Sequence, residues 1–301
     1  MTDGVSAARS NISHIWLALF FSGGCGVGAQ LALMLLAQRY AGALAAQSWF
    51  LYLLMLAQYA VTAALMYLLL RPLGAELAAM PGRFDVKEIL SLLPVCMLAS
   101  YIMSMVGSAV AAAFSALLGR GWVNPVEQAV AGKPTALVLL MMVIIAPLSE
   151  EYIFRHLLLG ALRPYGDKLA ILVSSLAFAL FHFNFTQFFY AFSAGLILSY
   201  VAVRTKGISE SCALHILINL LGSLVMPSLF ERSPEVAGGV VSALCAAGVA
   251  IAWLLKSRLL FSPASAPLER PLGARDVFAN VGFYSFIALS AVMFTLSALA
   301  G

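Results

Sequence analysis

Long uncharged apolar stretches alternate with short polar clusters along the whole chain. A helix that crosses a bilayer needs ~20 predominantly apolar residues. By that rule the candidates are Ile15–Leu36, Ser48–Leu70, Ile89–Leu117, Thr135–Leu158, Leu169–Phe185, Phe188–Val203, Ser209–Leu229, Val236–Leu255 and Val277–Leu299. The pattern predicts an all-α fold, a polytopic integral membrane helix bundle of eight or nine transmembrane helices. The fifth and sixth stretches are short and separated only by Asn184, Thr186 and Gln187. They make a tight hairpin, or one of them falls short of a full crossing.

Polar punctuation marks the connections. Asp85-Val86-Lys87-Glu88 has the form of a capping box opening the third helix. Gly24-x-x-x-Gly28 suits close helix packing in the first. Ser262 to Pro271 is proline-rich and aperiodic, so it reads as a loop that detaches the last helix from the rest. Phe283, Tyr284, Phe286 and Phe294 in that last helix are expected to serve as lipid contacts or packing.

Composition agrees with the pattern. Hydrophobic residues make up 62% of the chain and charged residues 10%, where a soluble domain is about a quarter charged; mean hydropathy is +0.98. The net charge of +4 needs no nucleic-acid partner, because basic residues in cytoplasmic loops account for it. With the N-terminus cytoplasmic and nine spans, the inside holds Arg9, Arg71, Arg83, Lys87, Arg163, Lys168, Arg204, Lys206, Lys256, Arg258, Arg270 and Arg275. The outside holds Arg39, Arg120, Lys133 and Arg232, so the bias favours that orientation. Cys25, Cys96, Cys212 and Cys245 stand singly in apolar segments and read as small core residues. The first apolar run lacks a small-residue cleavage site and is expected to remain as a spanning helix.

Against this background a few ionisable residues stand out. Thr135 to Ile145 carries no charge, and then Glu150, Glu151 and Arg155 follow where a membrane helix would continue. Such groups at bilayer depth are costly, and they mark function by default. Glu151 and Arg155 are spaced i, i+4 and can pair on one helix face. Glu150 lies ~100° round the helix, left without that partner. Pro147 removes one helix hydrogen bond just upstream. His182 lies late in the fifth stretch; His215 and Asn219 share a face of the seventh. At 1.5 Å per residue, Glu150, His182 and His215 lie ~18, ~21 and ~12 Å from the expected cytoplasmic ends of their helices. A shared, partly hydrated pocket explains that common layer better than independent packing. Two readings of its chemistry stay open. A carboxylate and a histidine polarise a water while a second histidine and an amide stabilise the oxyanion. Alternatively Glu150, His182 and His215 hold a divalent metal such as zinc, with a position open for water.

These residues resemble a known family. Glu150-Glu151-Tyr-Ile-Phe-Arg155, Phe178-Ala-Leu-Phe-His182 and His215-Ile-Leu-Ile-Asn219 are similar to the three motifs of the CAAX-protease and bacteriocin-processing (CPBP, or Abi) intramembrane endopeptidases. The resemblance covers about Thr135 to Gly222. It implies a helical membrane protease with a cavity open to the cytoplasm and to lipid. Glu150 and His182 would activate water, and Glu151 would orient the site, paired with Arg155 as structural support. His215 and Asn219 would position the substrate carbonyl. The family is described both as metal-dependent and as glutamate-dependent, so the metal stays open here too. The implied partners are a hydrophobic or lipidated peptide substrate and membrane lipid. The implied location, with compact loops, is a bacterial inner (cell) membrane. On this reading residues 1–134 are N-terminal transmembrane helices, 135–229 the catalytic helices and 230–301 C-terminal helices of one membrane domain. The rival reading is a non-catalytic scaffold or regulator of a sensor kinase, or a bacteriocin immunity protein, whose polar cluster only holds helices together.

Overall fold

The computed structural model describes residues 4–47, 49–74, 85–124, 135–257 and 259–300, and among these there is no strand. Arg83 and Lys133, and Arg258, which the charge bias counted, lie outside the described residues. Among the described residues, eight helices are long and apolar enough to cross a membrane: α1 (Gly4–Tyr40), α2 (Phe50–Leu73), α3 (Val86–Leu117), α4 (Thr135–Tyr165), α6 (Phe185–Thr205), α7 (Ser209–Arg232), α8 (Pro234–Leu255) and α9 (Val281–Leu299). Between α4 and α6 lies α5 (Asp167–Leu180), of 14 residues. It rises ~21 Å, short of the ~30 Å hydrocarbon core.

The early end of α5 differs from the sequence expectation, and it moves His182 out of the helix. Phe183 takes a positive φ of 54°, which halts the helix. Asn184, in extended conformation, caps α6 by accepting from the Gln187 N–H. The turn is buried at Phe183 and Asn184. Irregular backbone survives in a membrane protein only where its polar groups are satisfied within protein. Here the His182 and Phe183 N–H groups bond to the Ala179 and Leu180 carbonyls. The Asn184 amide covers the His182 carbonyl.

One end of the bundle is stitched by polar contacts between helix termini. Asn11 reaches Tyr165, the Asp167 N–H donates to the Ser262 carbonyl while the Ser262 N–H donates to the Asp167 carboxylate, Arg204 meets Glu88 and the Tyr200 hydroxyl accepts from Leu260 N–H. Asp85 caps α3 as expected, accepting from Lys87 and Glu88 N–H. The reciprocal half of the box is supplied differently: the Asp85 N–H donates to Glu210 of α7. The helices therefore alternate in direction.

The loop before α9 does not detach that helix. Glu269 accepts from the Gly4 and Val5 N–H groups, and Asp276 receives both Arg270 nitrogens while facing Arg9. Trp16 of α1 packs on Phe283 and Phe286 and donates to the Val277 carbonyl. Phe286 and Phe294 are buried, whereas Tyr284 is exposed. Close approach of α1 to α2 occurs at Gly26, where a Cβ would collide with Thr62, while Gly28 faces open space.

Candidate active site

Glu150 sits halfway along α4, ~22 Å from either end. Around it the helix is locally unwound. Leu139–Ile145 and Tyr152–Leu158 follow the wider i→i+5 pattern, on either side of Ala146–Glu151. Such segments gather at functional sites because they rotate side chains out of the regular register. Pro147, at the junction, has no N–H to give the Met142 carbonyl five residues earlier. The Asn219 side chain supplies the missing donor, its Nδ2 lying 2.9 Å from that oxygen. Asn219 thus reaches the site with one of its two amide hydrogens already engaged.

The two adjacent glutamates have different fates, as their angular offset requires. Glu151 is fully buried and faces α7. Its Oε1 is 3.1 Å from Arg155 Nη1 and 2.9 Å from His215 Nδ1. Both partners of the Glu151–Arg155 pair are completely buried, and the guanidinium lies 4.2 Å above the Phe178 ring. Phe178 also presents its ring edge-on to both imidazoles, 4.8 Å from His182 and 5.8 Å from His215. One phenyl ring therefore fixes three polar side chains.

Glu150 points the other way, into a cavity of about 270 Å³. Its Oε2 is 3.6 Å from His215 Nε2. It is not unpartnered, as the sequence alone implies, because the Tyr59 hydroxyl of α2 donates to Oε1 at 2.7 Å. His182 faces the same cavity from the α5–α6 turn, and Asn219 faces it from α7. A carbonyl only accepts, so the 2.9 Å contact of His182 Nδ1 with the Phe178 carbonyl places the proton on Nδ1. His182 Nε2 is then an acceptor. By the same logic His215 donates from Nδ1 to the carboxylate of Glu151 and turns Nε2 towards Glu150.

The structure thus brings Glu150, Glu151, Arg155, His182, His215 and Asn219 together. It adds Tyr59, and across the cavity Gln187, whose amide donates to Tyr190. The sequence held a signal for the first: Gln58, Tyr59 and Thr62 are polar positions on one face of an otherwise apolar run. All three line the cavity. As for a metal, no three His, Cys, Asp or Glu side chains converge as an ion requires, among the described residues. Glu150 and His215 offer two donors, but His182 does not complete a three-donor set with them. This arrangement does not supply the three-donor set that the zinc reading calls for.

Residues 132–221 match the family model for type II CAAX prenyl endopeptidase Rce1-like proteins. The chain is 35% identical over 80 residues to UPF0177 protein YxdF of Lactococcus lactis subsp. lactis (strain IL1403), covering 26% of this chain and 44% of that protein. It is 34% identical over 102 residues to the membrane-embedded CAAX protease MroQ of Staphylococcus aureus (strain USA300), covering 31% of this chain and 41% of the relative. The matched stretch therefore spans less than half the length of either relative. No solved structure matches the chain.

Proposed function

We propose that this chain, which through residues 132–221 belongs to the CPBP family of membrane proteins, is an intramembrane endopeptidase. It hydrolyses a peptide bond of a hydrophobic or lipidated peptide. The observation that carries the reading is the approach of Glu150 Oε2 to His215 Nε2 within 3.6 Å, at the edge of a largely apolar cavity. A water within reach of Glu150 and of the His182 Nε2 lone pair gives up its proton to Glu150 as its oxygen attacks the carbonyl carbon. The second Asn219 amide hydrogen is the donor available to the oxyanion, and His215 Nε2 stands beside it. Collapse of the tetrahedral intermediate breaks the C–N bond, and Glu150 returns the proton to the leaving amine. Glu151 and Arg155 hold the His215 ring and touch no reacting atom.

The end of the bundle joined by Asn11–Tyr165, Arg204–Glu88 and the loop before α9 also gathers Arg9, Lys87, Arg163, Lys168 and Lys256. By the positive-inside rule that end, with the N-terminus, lies in the cytoplasm. The membrane is on this reading a bacterial cell membrane, and the substrate reaches the cavity from the cytoplasmic side or from lipid.

The test is cleavage of a farnesylated-cysteine peptide and its unmodified counterpart by the full chain in proteoliposomes. Glu150→Gln keeps the shape and removes the base, so the rate falls by about 10²- to 10⁴-fold while thermal unfolding is unchanged. Undiminished cleavage by the variant overturns the mechanism. A wild type that cuts neither peptide, nor a library of hydrophobic peptides, turns the reading towards the scaffold.

A further inference from the structure

A second cavity, of about 790 Å³, shares no residue with the catalytic one. It lies where the N-terminal part of α3, the C-terminal parts of α6 and α8 and the segment Leu259 to Phe261 meet. Its size falls in the ~300–1,000 Å³ range of small-molecule sites. The interior is a greasy slot walled by Leu92, Val95, Leu196, Ile197, Leu255 and Leu259.

The mouth has the opposite character. Lys87, Arg204 and Lys256 line it, and all three are exposed. Lys168 adds a fourth cation nearby, 5.3 Å from the ring of Phe261 on the cavity wall. Two carboxylates share the rim, and both are occupied. Asp85 caps α3 through the Lys87 and Glu88 N–H groups, and Glu88 faces Arg204 at 3.7 Å. Lys87 and Lys256 form no ion pair with a carboxylate among the described residues; the ammonium of Lys256 rests 4.9 Å from the Trp253 ring. The groove therefore joins an apolar channel to a surplus of cations at the basic end of the bundle. A ligand that satisfies both halves has a hydrocarbon chain and an anionic head.

We propose that this groove is a binding site for an anionic phospholipid of the surrounding leaflet, its acyl chain between α3, α6 and α8 and its phosphate against Lys87, Arg204 and Lys256. The charge pattern selects this occupant. A neutral lipid would leave the lysines unanswered, a zwitterionic one would bring its own ammonium beside them and offset the charge of its phosphate, and a wholly apolar ligand would leave the mouth empty. Leu92 and Cys96 of α3, Leu198 of α6 and Leu214 and Ile218 of α7 form one apolar cluster that joins the groove wall to the helix bearing His215, so the lipid braces the wall behind the catalytic cavity.

Native mass spectrometry of the full chain in detergent, titrated with dioleoylphosphatidylglycerol or dioleoylphosphatidylcholine, tests the site. Wild type is expected to retain one phosphatidylglycerol in preference to phosphatidylcholine. Lys87→Gln with Lys256→Gln changes two exposed side chains and leaves the fold intact. It should weaken phosphatidylglycerol binding about ten- to thirty-fold, the order expected for two lysines beside an anionic lipid, and leave phosphatidylcholine unaffected. Ala252→Trp, which fills the groove from α8, should lower retention of both. Equal retention of the two lipids by wild type, or a headgroup preference that survives the lysine variant, overturns the proposal. So does unchanged binding in Ala252→Trp.

Discussion

Replacing Arg155 by methionine removes a buried charge while keeping most of the side-chain volume. The guanidinium and the Glu151 carboxylate are both fully buried and lie 3.1 Å apart. An exposed ion pair is worth ~0–1 kcal/mol, whereas removing one partner of a buried pair costs about 3–5 kcal/mol because the other is left uncompensated. Loss of the stacking over Phe178 at 4.2 Å adds about 0.5–2 kcal/mol. His215 Nδ1, 2.9 Å from the stranded carboxylate, keeps one hydrogen bond to it and offsets part of this. The expected loss is therefore about 3–5 kcal/mol, read from reversible unfolding of the full chain in micelles by tryptophan fluorescence. Arg155→Met with Glu151→Gln removes both charges, so the double variant should lose less than the sum of the singles by about 1–3 kcal/mol. Strict additivity, or a single variant within ~0.5 kcal/mol of wild type, refutes the view that this pair is a desolvated, coupled unit.

Other expectations follow from particular contacts. Tyr59→Phe deletes the donor to Glu150 without changing shape; a hydrogen bond to a charged group is worth ~1.5–3 kcal/mol, so kcat should fall about 10- to 150-fold in the peptide-cleavage assay with KM little altered. Gly107→Ala should destabilise by about 1–3 kcal/mol, because a Cβ there would lie 2.8 Å from the backbone oxygens of Phe185 and Thr186; a melting temperature equal to wild type would contradict it. The Arg270 guanidinium, ahead of the Gly273 N–H, holds the Asp276 carboxyl at about 2 against an ordinary 3.8. A depressed carboxyl stabilises above its ordinary value and loses that contribution as pH falls through the folded one. Protease sensitivity of the loop at Ser262–Pro271 should therefore stay flat from neutrality to about pH 4 and rise towards pH 2, and Asp276→Asn should abolish that dependence.

The sequence by itself determined the class of fold and the names of the polar residues, because both rest on local cost. A run of apolar residues long enough to cross a bilayer has few alternatives to a helix there, and Glu150, His182 and His215 are conspicuous against such runs whatever surrounds them. Adjacency of Glu150 and Glu151 likewise required that they face different ways. Tertiary structure decided what each one faces. That Glu151 serves His215 while Glu150 takes Tyr59 depends on which helices pack beside α4, and α2 lies far away in the chain. The end of α5 before His182 follows from the positive φ at Phe183 and the Asn184 cap, a choice that apolar periodicity does not register. Asn219 answers a carbonyl freed by Pro147 on another helix, and the last helix is held to α1 by Trp16 and the Glu269 and Asp276 contacts, despite a loop that reads as a break. Hydrophobicity is a property of a segment and can be summed along it; hydrogen bonds and ion pairs are directional and short-ranged, so they exist only once distant segments share a place.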